Sequence, residues 1–464
     1  MQSKTINLLN GHVYKNLFFF SLPIVIAQLL DGLYMIFDSY FLGVVDNQPA
    51  TVAVGTVSVI IGLVNFVVVG IGSGGTFLLG QYYGAKDQEG INKTLKNVIY
   101  IFLFITSLIM IIIFSCFYPI LGLFNIPAES LVSARDYLLI IAGSMPLYCL
   151  VILFSCVLRG FGNSNLPLFI SGTAAVLRII LDFVFVFYTD LGAIGIGLST
   201  VIALGVSSIL GFIFVRRFRK FIDFSIKDGK FDMITVKRII KYGMPIALSS
   251  LYSQVCSMIM ASLVNKLGIE YSSAFVISNN ISNFIYNGMY GVAMAVMSTT
   301  AICLGAKDIN LAKKYLRVGY LYSFFVVALL VGGGYPLLPI ILRSFSTSAL
   351  TMEYALERMY IVALDFIICI WLLPMIYLFL GSGRSMENMW FNFVSMIGIR
   401  LPLVFILEPL YLTNGYIYTL SIPVSSLLTL VLCIVYFYSN KWTVLKRMPF
   451  MEDILNKESE KHQA

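Results

Sequence analysis

Twelve separate stretches of the chain are each apolar for about 20 residues, long enough to cross a bilayer core as a helix. They lie near 17–42, 52–79, 98–121, 137–158, 166–188, 191–215, 239–265, 272–303, 318–341, 359–380, 389–407 and 415–438. Spans of this length imply an all-α integral membrane protein. Composition agrees: 59% of residues are apolar, 12% are charged and mean hydropathy is +0.90, against about 25% charged in a soluble domain. The first stretch follows Lys4 and Lys15 in the manner of a signal peptide. It is too long for an h-region and no small-residue cleavage site follows, so it is expected to stay as a helix.

The net charge of +8 raises the question of nucleic acid, and the position of the charge answers it. Most of the 31 basic residues fall in alternate connections: Lys86, Lys93 and Lys96, then Arg159, the run from Arg216 to Lys241, Lys307 to Arg317, Arg384 and the tail. The other connections hold only Arg135, Lys266, Arg343 and Arg358. That asymmetry is a topology signal and places both termini in the cytoplasm of a multi-pass cell-membrane protein. No nucleic-acid partner is implied.

The basic run splits the spans six and six. The expected division is 1–215 for the first half, 216–238 for a linker, 239–440 for the second half and 441–464 for a charged tail. Short strings recur at a nearly constant spacing, 221 residues for the glycine strings and 222 for the proline strings. Gly84-Ala85-Lys86-Asp87 after the second span returns as Gly305-Ala306-Lys307-Asp308 after the eighth, and Gly160-Phe161-Gly162 as Gly381-Ser382-Gly383. Leu22-Pro23-Ile24 meets Met244-Pro245-Ile246. An even number of spans per copy makes the copies parallel repeats, the arrangement of transporters whose substrate site lies near the midplane.

A charge inside a span costs at least about 2.5 kcal/mol on insertion scales, so each one marks a candidate site. There are four acids, Asp31, Asp38, Asp182 and Asp365, and two bases, Arg178 and Arg400. A buried carboxylate suits proton binding, and a pair of carboxylates suits Na⁺ through oxygen ligands. Arg178 precedes Asp182 by one helical turn, so an intrahelical ion pair is the structural alternative there. In the eighth span Asn279, Asn283 and Asn287 share one helical face, with Asn280, Tyr286 and Tyr290 close by. That face either lines a cleft or holds helices together. Gln28, Tyr34, Asn65, Met145, Tyr148 and Met289 are weaker candidates.

Several chemistries are excluded. The only histidines, His12 and His462, lie outside the spans, which removes a histidine metal or acid–base site in the membrane. The seven cysteines lie in apolar runs without a CxxC and are expected to be packing residues. Gly70-Ile71-Gly72-Ser73-Gly74-Gly75 fits a dinucleotide pattern on paper, but no strand precedes it, and small residues at this spacing let membrane helices approach closely. No metal, no cofactor and no enzyme activity are expected, and no Walker A motif supplies ATP.

Leu22-Pro23, Asp38-Ser39-Tyr40-Phe41-Leu42-Gly43, Gly74-Gly75-Thr76 and Arg159-Gly160-Phe161-Gly162 together resemble the multidrug and toxic compound extrusion (MATE) family over nearly the whole chain. The resemblance implies twelve helices in two six-helix lobes around a V-shaped cleft. It implies antiport of H⁺ or Na⁺ against organic, often cationic, compounds by a protein functional as a monomer. It assigns ion coupling to Asp38 and Asp182, as in the DinF-like branch, with Tyr137 and Thr200 in the same pocket and Pro23 as the bend of the first helix.

This chain departs from the family pattern at Arg178, where an Asn is usual, and at Asp31, where a neutral polar residue is usual. A guanidinium beside Asp182 works against simple protonation there and shifts the coupling assignment toward Asp38. The NorM-like branch carries a Glu where this chain reads Ser253-Gln254, and Asp365 falls about one turn from that branch's carboxylate. The leading expectation is a secondary antiporter exporting small organic compounds. A lipid-linked oligosaccharide flippase of the wider superfamily is the alternative.

Overall fold

The computed structural model describes residues 8–44, 48–122, 128–189, 191–218, 231–345, 348–407 and 415–443. Among them there is no strand. Twelve helices follow the twelve apolar runs: α1 Val13–Val44, α2 Gln48–Gly84, α3 Gln88–Gly122, α4 Ala128–Gly160, α5 Asn165–Tyr188 and α6 Ala193–Phe218. The second set is α7 Met233–Val264, α8 Ile269–Gly305, α9 Ile309–Gly334, α10 Ala349–Gly381, α11 and α12 Tyr416–Tyr438. α11 starts as Ser385–Phe393, widens into a π-helical turn over Val394–Arg400 and closes as Leu401–Leu407. All twelve are long and apolar enough to cross a membrane. Residues 219–230 of the expected linker and 444–464 of the tail lie outside the described residues.

The recurring strings have recurring shapes. Lys86 and Lys307 both take a left-handed conformation, with φ of 57° and 63°. Each ends one helix, and the aspartate that follows bonds back through its backbone N–H, Asp87 to Tyr82 O at 3.0 Å and Asp308 to Cys303 O at 2.9 Å. The same aspartates open the next helix: Asp87 Oδ1 accepts from Gly90 N at 3.1 Å and Asp308 Oδ1 from Leu311 N at 2.8 Å. Gly162 and Gly383 are left-handed in both copies, at 72° and 77°.

Contacts divide the chain into two compact units, and the division differs from the linear boundaries at two places. The first unit is built on Ile26–Ala247, the second on Asn7–Val25 and Leu248–Ala464. The opening part of α1 therefore packs with the second half of the sequence, and the opening part of α7 with the first. Both changes of unit fall just after a proline, Pro23 or Pro245, inside a helix that stays helical on either side. Proline removes one rung of the hydrogen-bond ladder and weakens the helix there.

Missing side chains make the exchange possible. In the first unit a Cβ on Gly70 of α2 would lie 2.7 Å from Ala247 Cβ, and one on Gly74 would lie 2.7 Å from Ile239 O. In the second, a Cβ on Gly291 of α8 would lie 2.5 Å from Val25 Cα. The glycines of the apparent dinucleotide pattern are thus helix-crossing points, as their context indicated.

In the first unit α4 packs against α2, α3 and α6, and α5 against α6, around Phe41, Val57, Tyr137, Ile141, Met145 and Ile196. In the second, α8 is buried along most of its length and α10 packs along it, with α9 and α12 outside.

The helices overrun the apolar runs, which corrects two loop placements. Arg135 lies inside α4, paired with Asp136 at 2.7 Å, and Arg358 lies inside α10 with only 3% of its surface exposed. Hydropathy marks the part of a helix that lipid requires, and the helix continues for as long as packing supports it.

Gly291→Val is expected to lower stability by about 1–3 kcal/mol through overpacking against α1. Gly143→Ala, where a Cβ meets nothing within 4 Å, should be neutral or gain about 0.5–1 kcal/mol. Thermal unfolding of the detergent-purified proteins checks both, and equal midpoints would refute the crossing.

Candidate functional site

The first unit gathers charged groups on α1 and α5 and hydroxyls on α6. Asp182 of α5 is fully buried, and the Ser199 hydroxyl of α6 donates to its Oδ1. Arg178, one turn earlier, brings Nε to 3.6 Å from Asp182 Oδ2, with 17% of its side chain exposed. The ion pair expected from the one-turn spacing is present. Thr200 turns its hydroxyl to Ile196 O at 2.9 Å, a bond within its own helix. Tyr137 of α4 is buried against Gly197, where a Cβ would sit 3.3 Å from the ring.

Arg178 pairs with Asp182 on its own helix, and Asp31 of α1 is half-buried. The side chains of Tyr34 and Asp38 lie outside the described residues. Pro23 belongs to the second unit, at the change of unit in α1.

The second unit keeps acid and base apart. Asp365 of α10 is buried and accepts from the Tyr286 hydroxyl of α8, with the Cys369 thiol 3.4 Å from the same oxygen. Two turns earlier on α10, Arg358 Nη2 donates to Asn279 Oδ1 at 2.6 Å, and its guanidinium carbon lies 3.8 Å from the Phe275 ring centroid. Arg400, in the π-helical turn, approaches Met396 Sδ through Nη1 at 3.7 Å. The asparagine face of α8 is graded: Asn279 is tied to Arg358, Asn287 is half-buried and Asn283 is exposed.

Ser199, Arg358 and Cys369 are the members that sequence reasoning missed. Ser199 neighbours Thr200, but only the packing of α5 on α6 shows which hydroxyl meets Asp182. Arg358 stands one residue before an apolar run and so counted as a connection. Cys369 was assigned to packing, whereas its thiol is directed at a carboxylate.

A family model described as MatE matches the chain twice, over residues 23–184 and 245–406. A probable multidrug resistance protein, YoeA, of Bacillus subtilis (strain 168) is 22% identical over 85% of this chain and 87% of its own length. The multidrug export protein MepA of Staphylococcus haemolyticus (strain JCSC1435) is 23% identical over 94% of this chain and 96% of its own. A solved structure described as the outward-facing conformation of a multidrug resistance MATE family transporter of the MOP superfamily superposes with a TM-score of 0.89. It is 18% identical and covers 97% of this chain and all of that one.

Removing Arg178 alone leaves a buried carboxylate without its base. Arg178→Gln is expected to cost about 3 kcal/mol or more. The double variant Arg178→Gln with Asp182→Asn should recover most of that loss. Additive costs in an unfolding double-mutant cycle would show that the two charges do not interact.

Proposed function

Because the chain belongs to the MatE family, we propose that it is a secondary antiporter that exports small organic compounds, cationic or amphiphilic, in exchange for a cation. The observation that carries this reading is Asp182: a fully buried carboxylate held by Ser199 and facing Arg178, in a protein of twelve membrane-spanning helices. The names of YoeA and MepA, for drug resistance and export, favour export of drugs over the flippase reading.

Asp38 and Asp182 are the coupling carboxylates in this proposal, with Asp31, Tyr34, Tyr137, Arg178 and Thr200 around them. H⁺ fits the site better than Na⁺. A sodium ion needs several oxygen ligands, whereas the two oxygens of Asp182 already face a hydroxyl and a guanidinium. A proton needs only one lone pair. Because a guanidinium beside Asp182 opposes its protonation, the proposed proton reaches Asp182 as Arg178 turns away toward Asp31.

Asp31 lies on the part of α1 beyond Pro23, so a charge event on α5 acts on the segment that follows the helix's weak point. A change in α1 coupled to protonation gives the differential interaction that alternating access requires. Asn283, Asn287 and the Asp365 and Arg400 region are proposed to contact substrate from the second half. The protein is proposed to work as a monomer in the cell membrane with both termini cytoplasmic, which the basic connections support.

Proteoliposomes loaded with ethidium, under pH and Na⁺ gradients imposed one at a time, test the proposal. The pH gradient alone should drive efflux. Asp182→Asn and Asp38→Asn should each reduce it to the leak of protein-free vesicles while inserting at the parent's yield. Na⁺-driven efflux that survives Asp182→Asn would sink the coupling assignment.

A further inference from the structure

The two family matches make the units comparable position by position. Arg178 and Arg400 stand equally far from the ends of their matches, and so do Asp182 and Val404. The first unit therefore has a base with its acid one turn on, and the second has the same base with a buried valine in the acid's place. The other change has the same sign. Counted back from Gly160 and Gly381, a register one residue shorter than that of the two matches, Tyr137 of the first unit falls opposite Arg358 of the second.

Arg358 is the one basic side chain among the fully buried described residues. A guanidinium stays protonated in proteins, and burying it without a counter-charge is costly. Its visible compensation is one bond to Asn279 and the face of Phe275. Its Nε and Nη1 have no partner, and Arg400 Nε is likewise buried without one.

Among the described residues no carboxylate lies within ion-pair distance of either arginine. Asp365 is about 10 Å further along α10 by helix rise and is engaged through Oδ2 by Tyr286 and Cys369. Glu357, beside Arg358 in sequence, accepts from the Tyr416 hydroxyl on the exposed side at 2.9 Å. The two guanidinium groups border one apolar cluster: Arg358 lies on Phe275, a buried member, and Arg400 on Met396, which packs against that cluster. Arg400 is partly exposed.

We propose that Arg358 and Arg400, against the wall of Phe275 and Met396, form a subsite in the second unit for an oxyanion, a carboxylate or phosphate-type group on an organic ligand. The group would supply the negative charge that Asp182 supplies in the first unit. Charge-assisted bonds from the unpartnered N–H donors supply affinity, and the apolar cluster receives the ligand's body. The subsite is independent of the coupling reading, because it is tested at equilibrium with no ion gradient.

The test uses full-length protein in dodecyl maltoside, with radiolabelled benzoate as probe, inorganic phosphate as charged competitor and benzamide as neutral competitor. Benzoate should bind saturably, phosphate should displace it and benzamide should not. Arg358→Gln and Arg400→Gln should each weaken benzoate by about tenfold or more. Asn279→Asp guards against misfolding in those variants: it sets a carboxylate beside Arg358, so it should raise the melting temperature and abolish benzoate binding together.

Reconstitution in nanodiscs separates the sources of the anion. If phosphatidylglycerol, but not phosphatidylcholine, suppresses benzoate binding, a lipid headgroup occupies the subsite. Equal binding in both lipids assigns it to a free ligand, and either result supports the subsite. Failure of benzoate and phosphate to bind, equal binding of benzamide, or unchanged benzoate affinity in Asn279→Asp overturns it.

Discussion

Hydrocarbon gives a backbone N–H or C=O nothing to bond to, so each of the twelve helices has to pair those groups internally. Under that constraint the informative places are where the ladder is altered. Two are the prolines of α1 and α7, where each helix passes from one compact unit to the other. A third is the π-helical turn of α11, a widening that is frequent at functional sites, and it carries Arg400. The short Lys86 and Lys307 turns let α2 and α8 end and α3 and α9 begin within a few residues, with every bond of the turn made locally. The prolines and the lysine turns recur in both copies and belong to the duplicated scaffold, whereas the π-helical turn is confined to α11, the matching α5 being α-helical from Asn165 to Tyr188.

The charges, by contrast, have diverged between copies. The first unit meets the cost of burial by placing Arg178 and Asp182 on one helix and adding a hydroxyl. The second gives its acid a phenol and a thiol, and gives its deeper base an amide and an aromatic face. Neutral partners satisfy hydrogen bonds and leave the charge uncancelled. A scaffold with a neutralised pair on one side and separated charges on the other is suited to ligands whose own charge completes one of them.

Much of this was legible in the sequence because lipid simplifies the code. Helix number, the repeat and the Arg178–Asp182 pair each follow from a local rule: apolar length, recurring turn strings and one-turn spacing. The contacts that escaped depend on which helix meets which. Ser199 and Thr200 are chemically similar neighbours, and only the rotation of α6 selects the first. Arg358 looked like a connection because α10 starts at Ala349, well before its apolar run. The changes of unit at Val25 and Ala247 were marked in the sequence only by their prolines, since a helix interior gives no sign of its packing partner.

The exchanged helix openings are alike in packing and unlike in charge. In the second unit, the opening of α1 is held by Gly291 against Val25 and by two phenols, Tyr315 to Leu8 O and Tyr322 to Tyr14 O, each at 2.7 Å. In the first unit, the opening of α7 is held by Gly70 and Gly74, and by Arg238 to Tyr82 Oη at 3.1 Å. Beyond the prolines the helices differ. α1 continues into Asp31 and Asp38, whereas α7 has no charged residue between Pro245 and Val264. Under the proposed coupling, a proton arriving in the first unit has a charged helix to act on, one whose opening on the far side of Pro23 belongs to the other unit. The same event at α7 finds no charge. Of the two equivalent helices, only α1 carries carboxylates beyond its proline, which is what the proposed coupling requires.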